Sequence, residues 1–266
     1  MEWALSEGGW SNYRFTAIDS RDPAHLFFPV SNIFWSGVAL PGLFRCEEND
    51  PRRTTSRAEL ACLASWKRIL FMASRIHSFS GWVLLMEDDL GSSLSVPHAW
   101  MHSLNDLINF CPRRTLAIQL APISFHAREK LVSIWRSSNG RCLSVPKESV
   151  RSHGNGAVLL HKRALSYLID PFLYFSRLCS SNLHLLLHPS RIRPVADKWI
   201  YGSLPPGTCQ VATYPHFCLD AVDSNLHVDH VSSFHKPSRD TTINIWARDK
   251  RFNLIEAHQS WDNITV

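Results

Sequence analysis

The feature that most constrains the fold is an uninterrupted apolar run that ends in three acidic residues. Residues 82–86 read Trp-Val-Leu-Leu-Met, and the acidic triplet Glu87, Asp88 and Asp89 follows directly. Five consecutive apolar residues without alternation predict a β-strand that is covered on both faces, as is typical of parallel strands in α/β proteins. Ligands of open α/β sheets bind beyond the carboxyl ends of the strands, so we expect the acidic triplet at a ligand-binding edge.

A long helix is predicted before this strand. Ser56 and Glu59 form a capping-box pattern, in which the two side chains satisfy backbone N–H groups at the start of a helix. Apolar and small residues then recur at helical spacing and predict its buried face. These residues are Ala58, Cys62, Ser65, Ile69, Met72, Ala73 and Ile76.

The rest of the chain predicts a mixed α/β sheet flanked by helices. Strands are predicted at 116–120, 157–160 and 210–214, helices opening at Pro97, at Lys162 and near Ala196, and a polar loop over 137–155. Such alternation is typical of α/β folds. We expect a single domain over residues 1–266, with a core at about 13–220 and an irregular C-terminal segment at 221–266.

The chemistry of the acidic triplet favours a divalent cation. Three adjacent carboxylates repel one another, and a position beside a buried strand increases that cost. Mg²⁺ or Mn²⁺ offsets the repulsion, and both ions commonly bind carboxylates together with substrate phosphates. The triplet therefore predicts a metal and phosphate site held by Asp88 and Asp89. A solvated acidic turn explains the same residues equally well.

Composition excludes several other classes. The net charge of +5 comes from scattered basic pairs without a polybasic run, which argues against nucleic acid as a partner. Seven cysteines without a CxxC pair argue against a disulfide framework or a structural zinc site. No apolar stretch approaches the ~18 residues of a transmembrane helix, and no signal peptide is recognised. We expect a cytoplasmic protein, with peripheral membrane association as an alternative.

Five segments resemble, in order, glycosyltransferase family 25, the group that contains lipopolysaccharide and collagen galactosyltransferases. They look like its early strand ending in Ala-x-Asp, its Glu-Ile-Ala-Cys helix, its strand leading into Glu-Asp-Asp, its Gly-x-x-Ala-Tyr-Leu-Ile strand and its Pro-x-Asp-Trp segment. The segments are Tyr13–Asp19, Glu59–Ser65, Trp82–Asp89, Gly154–Leu160 and Pro194–Trp199. Together they cover about residues 13–220.

This resemblance implies a GT-A type fold and hexose transfer with inversion, in a setting such as lipopolysaccharide biosynthesis. The implied donor is a nucleotide sugar, UDP-galactose or UDP-glucose, and the implied acceptor is a glycan or a glycosylated molecule. In this interpretation Asp88 and Asp89 hold Mn²⁺ or Mg²⁺ against the donor diphosphate. Glu87 positions the turn or contacts the donor ribose.

Five further residues are candidates for the site. Asp197 stands where the family motif has its Asp and is the candidate base or acceptor-orienting carboxylate, although an Asp that favours a helix start explains it equally well. Asp220 and Asp223 compete for that role. His235, or alternatively His230, is the candidate that completes the metal shell, although a surface histidine in a polar segment is the competing explanation.

Two departures from the family pattern are expected to matter. The family's first strand, of the type Val-Ile-Asn-Leu, has no counterpart, so that strand is either truncated or absent. Trp66 stands where the family usually has His. Gly154 and Gly156 indicate either a close backbone approach to a sugar or a tight turn.

Two other functions remain open. A non-catalytic carbohydrate-binding relative would bind glycans without a donor. Another metal-dependent nucleotidyl or phosphoryl enzyme would use the acidic triplet, but it would need a Gly-rich or Arg-rich phosphate loop, and none is recognised.

Overall fold

The computed structural model describes residues 15–17, 57–74, 81–87, 90, 100–169, 195–217 and 235–248. The helices and strands along these residues are α1 Arg57–Ser74, β1 Trp82–Met86, α2 Leu104–Phe110, β2 Ala117–Gln119, α3 Phe125–Ser137, β3 Ser144–Pro146, β4 Ala157–His161, α4 Leu165–Leu168, α5 Ala196–Ser203, β5 Cys209–Ala212 and α6 Lys236–Arg248. Short 3-10 helices occupy Lys147–Ser149 and Lys162–Ala164.

The five strands form one mixed sheet in the order β1-β4-β2-β5-β3. Strand β2 pairs with β5 in parallel, with Ala117 opposite Cys209, and with β4 in antiparallel orientation, with Ala117 opposite Leu160. Strand β3 is antiparallel to β5, with Ser144 opposite Ala212. The predicted mixed α/β sheet flanked by helices is therefore confirmed.

Strand β1 runs in the same direction as β2 and β5. The Lys162 N–H donates to the Gly81 carbonyl at 2.8 Å, and the Glu87 N–H donates to the Gly156 carbonyl at 2.9 Å. Residue numbers rise along β1 as they fall along β4, so this pair is antiparallel. The carboxyl ends of β1, β2 and β5 consequently lie at one edge of the sheet, which we call the carboxyl edge.

The chain divides into two compact units, one of residues 1–13, 84–160 and 206–266 and the other of residues 14–83 and 161–205. In the first, helix α3 packs on one face of the sheet. Ala127 and Leu131 of α3 form a buried cluster with Val150 and Val211. Side chains alternate across a strand, and on the opposite face Ser144 of β3 contacts the Cys111 thiol that follows α2. Helix α6 packs against α3.

The second unit contains a small helical core. Helices α1, α4 and α5 pack against one another. Leu63, Trp66 and Leu70 of α1 are buried, and the Lys67 ammonium lies 5.0 Å from the centre of the Trp199 ring of α5. Trp66 is therefore a packing residue of this core.

The buried face of α1 differs from the predicted one. Cys62, Ser65 and Ile69 are only half-buried, and Met72 is 42% exposed. The larger side chains of Leu63, Trp66 and Leu70 recur at the same helical spacing on a neighbouring face, and they bury more apolar area. The helix was correctly predicted, but its orientation was wrong.

Strand β1 is also less buried than its sequence predicted. Only Leu85 is buried, and the other four residues are half-buried. Among the described strands, β1 is the first in the sheet order and pairs with β4 alone. An apolar run without alternation therefore does not identify a fully buried strand here.

Several segments contain more or different structure than predicted. The polar loop at 137–155 contains β3 and a 3-10 helix, and the segment 221–266 expected to be irregular contains α6. Helix α2 begins after Ser103, which forms a capping box with Asp106, and Pro97, where a helix was expected to open, lies outside the described residues. Residues 15–17, inside the expected early strand, adopt no helix or strand. The single domain over 1–266 stays a prediction.

Truncating Leu70 tests the buried face of α1. Leu70 is 0% exposed, so Leu70→Ala should lower the free energy of unfolding by about 2–5 kcal/mol. Met72→Ala, on the predicted face, should change it by less than about 0.5 kcal/mol. Urea unfolding of both variants measures the difference, and equal losses would contradict the observed orientation of the helix.

Candidate functional site

The acidic triplet begins where β1 leaves the sheet. Strand β1 ends at Met86, and the Glu87 N–H still pairs with the Gly156 carbonyl at the start of β4. This bond fixes the backbone of Glu87 at the carboxyl edge, and its side chain is half-buried. Asp88 and Asp89 lie outside the described residues, so their role as metal ligands stays a prediction.

Asn155 directly precedes Gly156, and its side chain is buried without hydrogen-bond partners among the described residues. Its side chain is 3% exposed. Within the described part of the chain, neither the amide nitrogen nor the amide oxygen has a hydrogen-bond partner. Buried polar groups in native proteins almost always have partners, so such a group calls for an explanation.

Gln119, in the central strand β2, differs from Asn155 because its amide is fully hydrogen-bonded. Its buried amide makes all four hydrogen bonds of which it is capable. Oε1 accepts from the Lys147 ammonium at 2.9 Å and from the Ser152 hydroxyl at 2.6 Å. Nε2 donates to the carbonyls of His153 at 3.1 Å and Gly154 at 2.6 Å. The strand thus holds the segment that leads into β4.

Gly154 fixes the segment before β4 at a second point. Its φ is +92°, and a Cβ at this position would lie 2.6 Å from Cγ2 of Ile123. The Ile123 N–H also donates to the His153 carbonyl at 3.0 Å. Gly154 is required by this turn and by Ile123, which favours the tight-turn explanation over an approach to a sugar.

Histidine and aromatic rings form a cluster around Tyr214 and His216, two residues that follow β5 in the chain. The indole N–H of Trp135 donates to Nε2 of His102 at 3.2 Å. The ring of His216 stands edge-on to Trp100 and to Tyr214, at centroid distances of 5.2 and 5.1 Å. Nε2 of His216 lies 3.0 Å from the His102 carbonyl oxygen. Because a carbonyl only accepts, neutral His216 carries its proton on Nε2.

Burial keeps His216 neutral. The side chain is 1% exposed, and this burial lowers its pKa from 6.5 to about 4. Hydrogen bonds with the backbone of His102 and Tyr214 oppose the lowering of the pKa, whereas the charges of His102 and Arg128 add to it. A charged imidazolium loses more hydration than a neutral ring when it is buried. The ring therefore acts as a neutral hydrogen-bond donor at physiological pH.

Asp197 occupies the first turn of α5, in the second unit. One carboxylate oxygen accepts from the Lys198 N–H at 2.7 Å. Val195, the residue before the helix, contributes no side-chain cap, so Asp197 satisfies a backbone donor and favours the positive end of the helix dipole. This geometry supports the helix-start interpretation, and a catalytic role for Asp197 stays a prediction.

The remaining candidate metal ligands are not gathered in the described structure. His235 is buried at the start of α6, and burial lowers its pKa, so it presents the neutral ring that metals bind. Within the part of the chain that the structure describes, no three His, Cys, Asp or Glu side chains form a group that could hold a metal ion. His230, Asp220 and Asp223 lie outside the described residues.

Comparison with known proteins identified no similar protein. No protein-family model, no curated protein and no solved structure matches the chain. Among the described helices, none has the length and apolar character needed to cross a membrane.

Sequence reasoning did not identify Gln119 or Asn155. Gln119 interrupts the apolar run 116–120, and a polar residue inside a buried strand needs partners. That signal could have marked it as an anchor. Asn155 lies between Gly154 and Gly156, and its burial depends on packing that no sequence pattern encodes.

Replacing Gly154 tests the turn before β4. Gly154→Ala places a Cβ against Ile123 in a backbone conformation that L-residues rarely adopt, so we expect a loss of about 1–3 kcal/mol in unfolding free energy. Gly81→Ala is the control, because no described atom lies within 4 Å of its added Cβ. Chemical denaturation compares the variants, and an unchanged Gly154→Ala protein would refute the packing described here.

The burial of His216 predicts a pH dependence of stability. Its pKa is near 6.5 in the unfolded chain and about 4 in the folded protein, so the unfolded state binds the proton first. The stability contributed by the neutral ring is present above pH 6.5 and is lost as the pH falls toward 4. His216→Gln keeps a donor for the His102 carbonyl but does not titrate.

We expect the wild-type protein to lose up to about 3 kcal/mol more than His216→Gln between pH 7 and pH 4. Urea unfolding of both proteins across this range gives the difference. A difference that stays constant with pH would show that His216 is not buried in neutral form.

Proposed function

We propose that the chain is a metal-dependent glycosyltransferase with a GT-A type fold. It transfers galactose or glucose from a nucleotide-sugar donor to a glycan or a glycosylated acceptor, with inversion. The observation that carries the proposal is the position of the acidic triplet. It starts at the carboxyl edge of a mixed sheet, where β1 ends and the Glu87 backbone is held by Gly156, and this is where α/β sheets bind ligands.

The donor atoms of the triplet suit the proposed metal. Carboxylate oxygens are the preferred ligands of Mn²⁺ and Mg²⁺, and we assign Asp88 and Asp89 as the residues that hold the ion. When bound, the ion supplies positive charge that stabilises the leaving diphosphate. His235, neutral and buried, is our candidate for an additional ligand.

The other roles follow from the chemistry of inverting transfer. A carboxylate must lie near the acceptor hydroxyl to take its proton, and Asp197 is our candidate for this base or for orienting the acceptor. Glu87 positions the turn through its backbone bond to Gly156. The alternative of a nucleotidyl or phosphoryl enzyme is weaker, because the sequence contains no Gly-rich phosphate loop.

Removing one carboxylate of the triplet tests the metal site. Asp89→Asn should lower the transfer rate by about 100-fold or more, since the ion that offsets the leaving-group charge is lost. The melting temperature without metal should not fall. Transfer from UDP-galactose and UDP-glucose with Mn²⁺ measures the rate, and thermal shift on addition of Mn²⁺ and donor measures binding.

The matched control is Glu129→Gln, the same type of change at an exposed carboxylate on α3, which should keep wild-type transfer. Full activity in Asp89→Asn would refute the proposal. Retained glycan binding without any nucleotide-sugar binding would instead identify a non-catalytic carbohydrate-binding protein.

A further inference from the structure

We propose that the side-chain amide of Asn155 binds a pair of neighbouring hydroxyls on the nucleotide-sugar donor. The inference rests on the proposed function and names a residue that this function does not yet use. It starts from the two amide atoms of Asn155, which are buried and have no hydrogen-bond partner among the described residues.

Burial of such an amide is unfavourable for the protein alone. Each polar atom that leaves water without gaining a partner costs the folded state its full desolvation, whereas an apolar side chain of similar size would not. Gln119, which carries the same chemical group, shows how this chain satisfies a buried amide when the role is structural. Asn155 has no such set of partners among the described residues, so we infer that its two amide atoms bind a ligand.

The position of Asn155 places it at the proposed site. The next residue, Gly156, accepts the Glu87 N–H at 2.9 Å, and Glu87 opens the acidic triplet. The Gln119 and Ile123 contacts fix the backbone on the other side, through His153 and Gly154. Asn155 is therefore held between two anchors, at the edge where the triplet begins.

The chemistry of the amide selects the kind of ligand group. An Asn side chain presents a donor NH₂ and an acceptor oxygen side by side. A diphosphate oxygen only accepts and would leave the amide oxygen unsatisfied. Two neighbouring hydroxyls, one donating and one accepting, satisfy both atoms. A nucleotide sugar carries such pairs on its ribose and on its hexose, at either end of the diphosphate.

The test is Asn155→Leu, which keeps the approximate volume and removes both polar atoms. Without ligand, its melting temperature should equal or exceed that of the wild type, because two unsatisfied groups are removed. The Kd for UDP-galactose with Mn²⁺ should rise about ten-fold or more. Isothermal titration well below the melting temperature separates weaker binding from unfolding.

Gln119→Leu is the matched control. It is the same type of substitution at a buried amide with four partners. It leaves the Ser152 hydroxyl without its acceptor and removes one of the acceptors of the Lys147 ammonium. It should therefore lower the melting temperature. A melting temperature that falls in Gln119→Leu but not in Asn155→Leu is a result that a purely structural role for Asn155 would not give. If Asn155→Leu does not fold, Asn155→Ala is measured in the same way.

Further probes identify which hydroxyl pair is bound. If the ribose is bound, Asn155→Leu also weakens binding of UDP and abolishes the preference for UDP over 2′-deoxy-UDP. If the hexose is bound, the affinity for UDP is unchanged and only the affinity for UDP-galactose falls. Either pattern supports the inference.

Two results would overturn it, and they are distinguishable. If the wild type binds UDP-galactose with Mn²⁺ and the Asn155 variant binds it equally well, the inference fails and the proposed function stands. If the wild type binds neither UDP nor UDP-galactose under these conditions, the proposed function fails and the inference fails with it.

Discussion

The hydrogen bonds of the Gln119 amide organise the carboxyl edge of the sheet. Gln119 lies in the central strand β2, where a polar side chain is tolerated only if it is fully bonded. Its four partners all belong to the segment between β3 and β4. This one side chain therefore sets the path of a polar segment that could otherwise follow many routes across the surface.

The remaining features of the edge depend on that path. Because Gln119 and Ile123 fix His153 and Gly154, Gly156 meets the end of β1 in the register that pairs it with Glu87. The first acidic residue is thus positioned by contacts that begin two strands away. The proposed chemistry of the acidic triplet therefore depends on this segment, since Gly156 and Glu87 pair at the carboxyl end of β1.

Local patterns made some of this predictable from sequence. The apolar run of β1 and the amphipathic spacing of α1 identified both elements, because strand and helix formation depend on neighbouring residues. Which face of α1 is buried depended on Leu63, Trp66 and Leu70 meeting distant helices. The partial burial of β1, the strand β3 inside a polar loop and the buried amide of Asn155 likewise arise from non-local packing, which spacing along the chain does not record.

The anchored segment before β4 has a thermodynamic consequence for recognition. Its conformation is already restricted by the carboxamide of Gln119 and by the steric fit of Gly154 to Ile123. A molecule that bonds to this segment meets a pre-organised partner, so little chain entropy is lost on association. This segment therefore becomes ordered when the sheet folds, before any ligand binds.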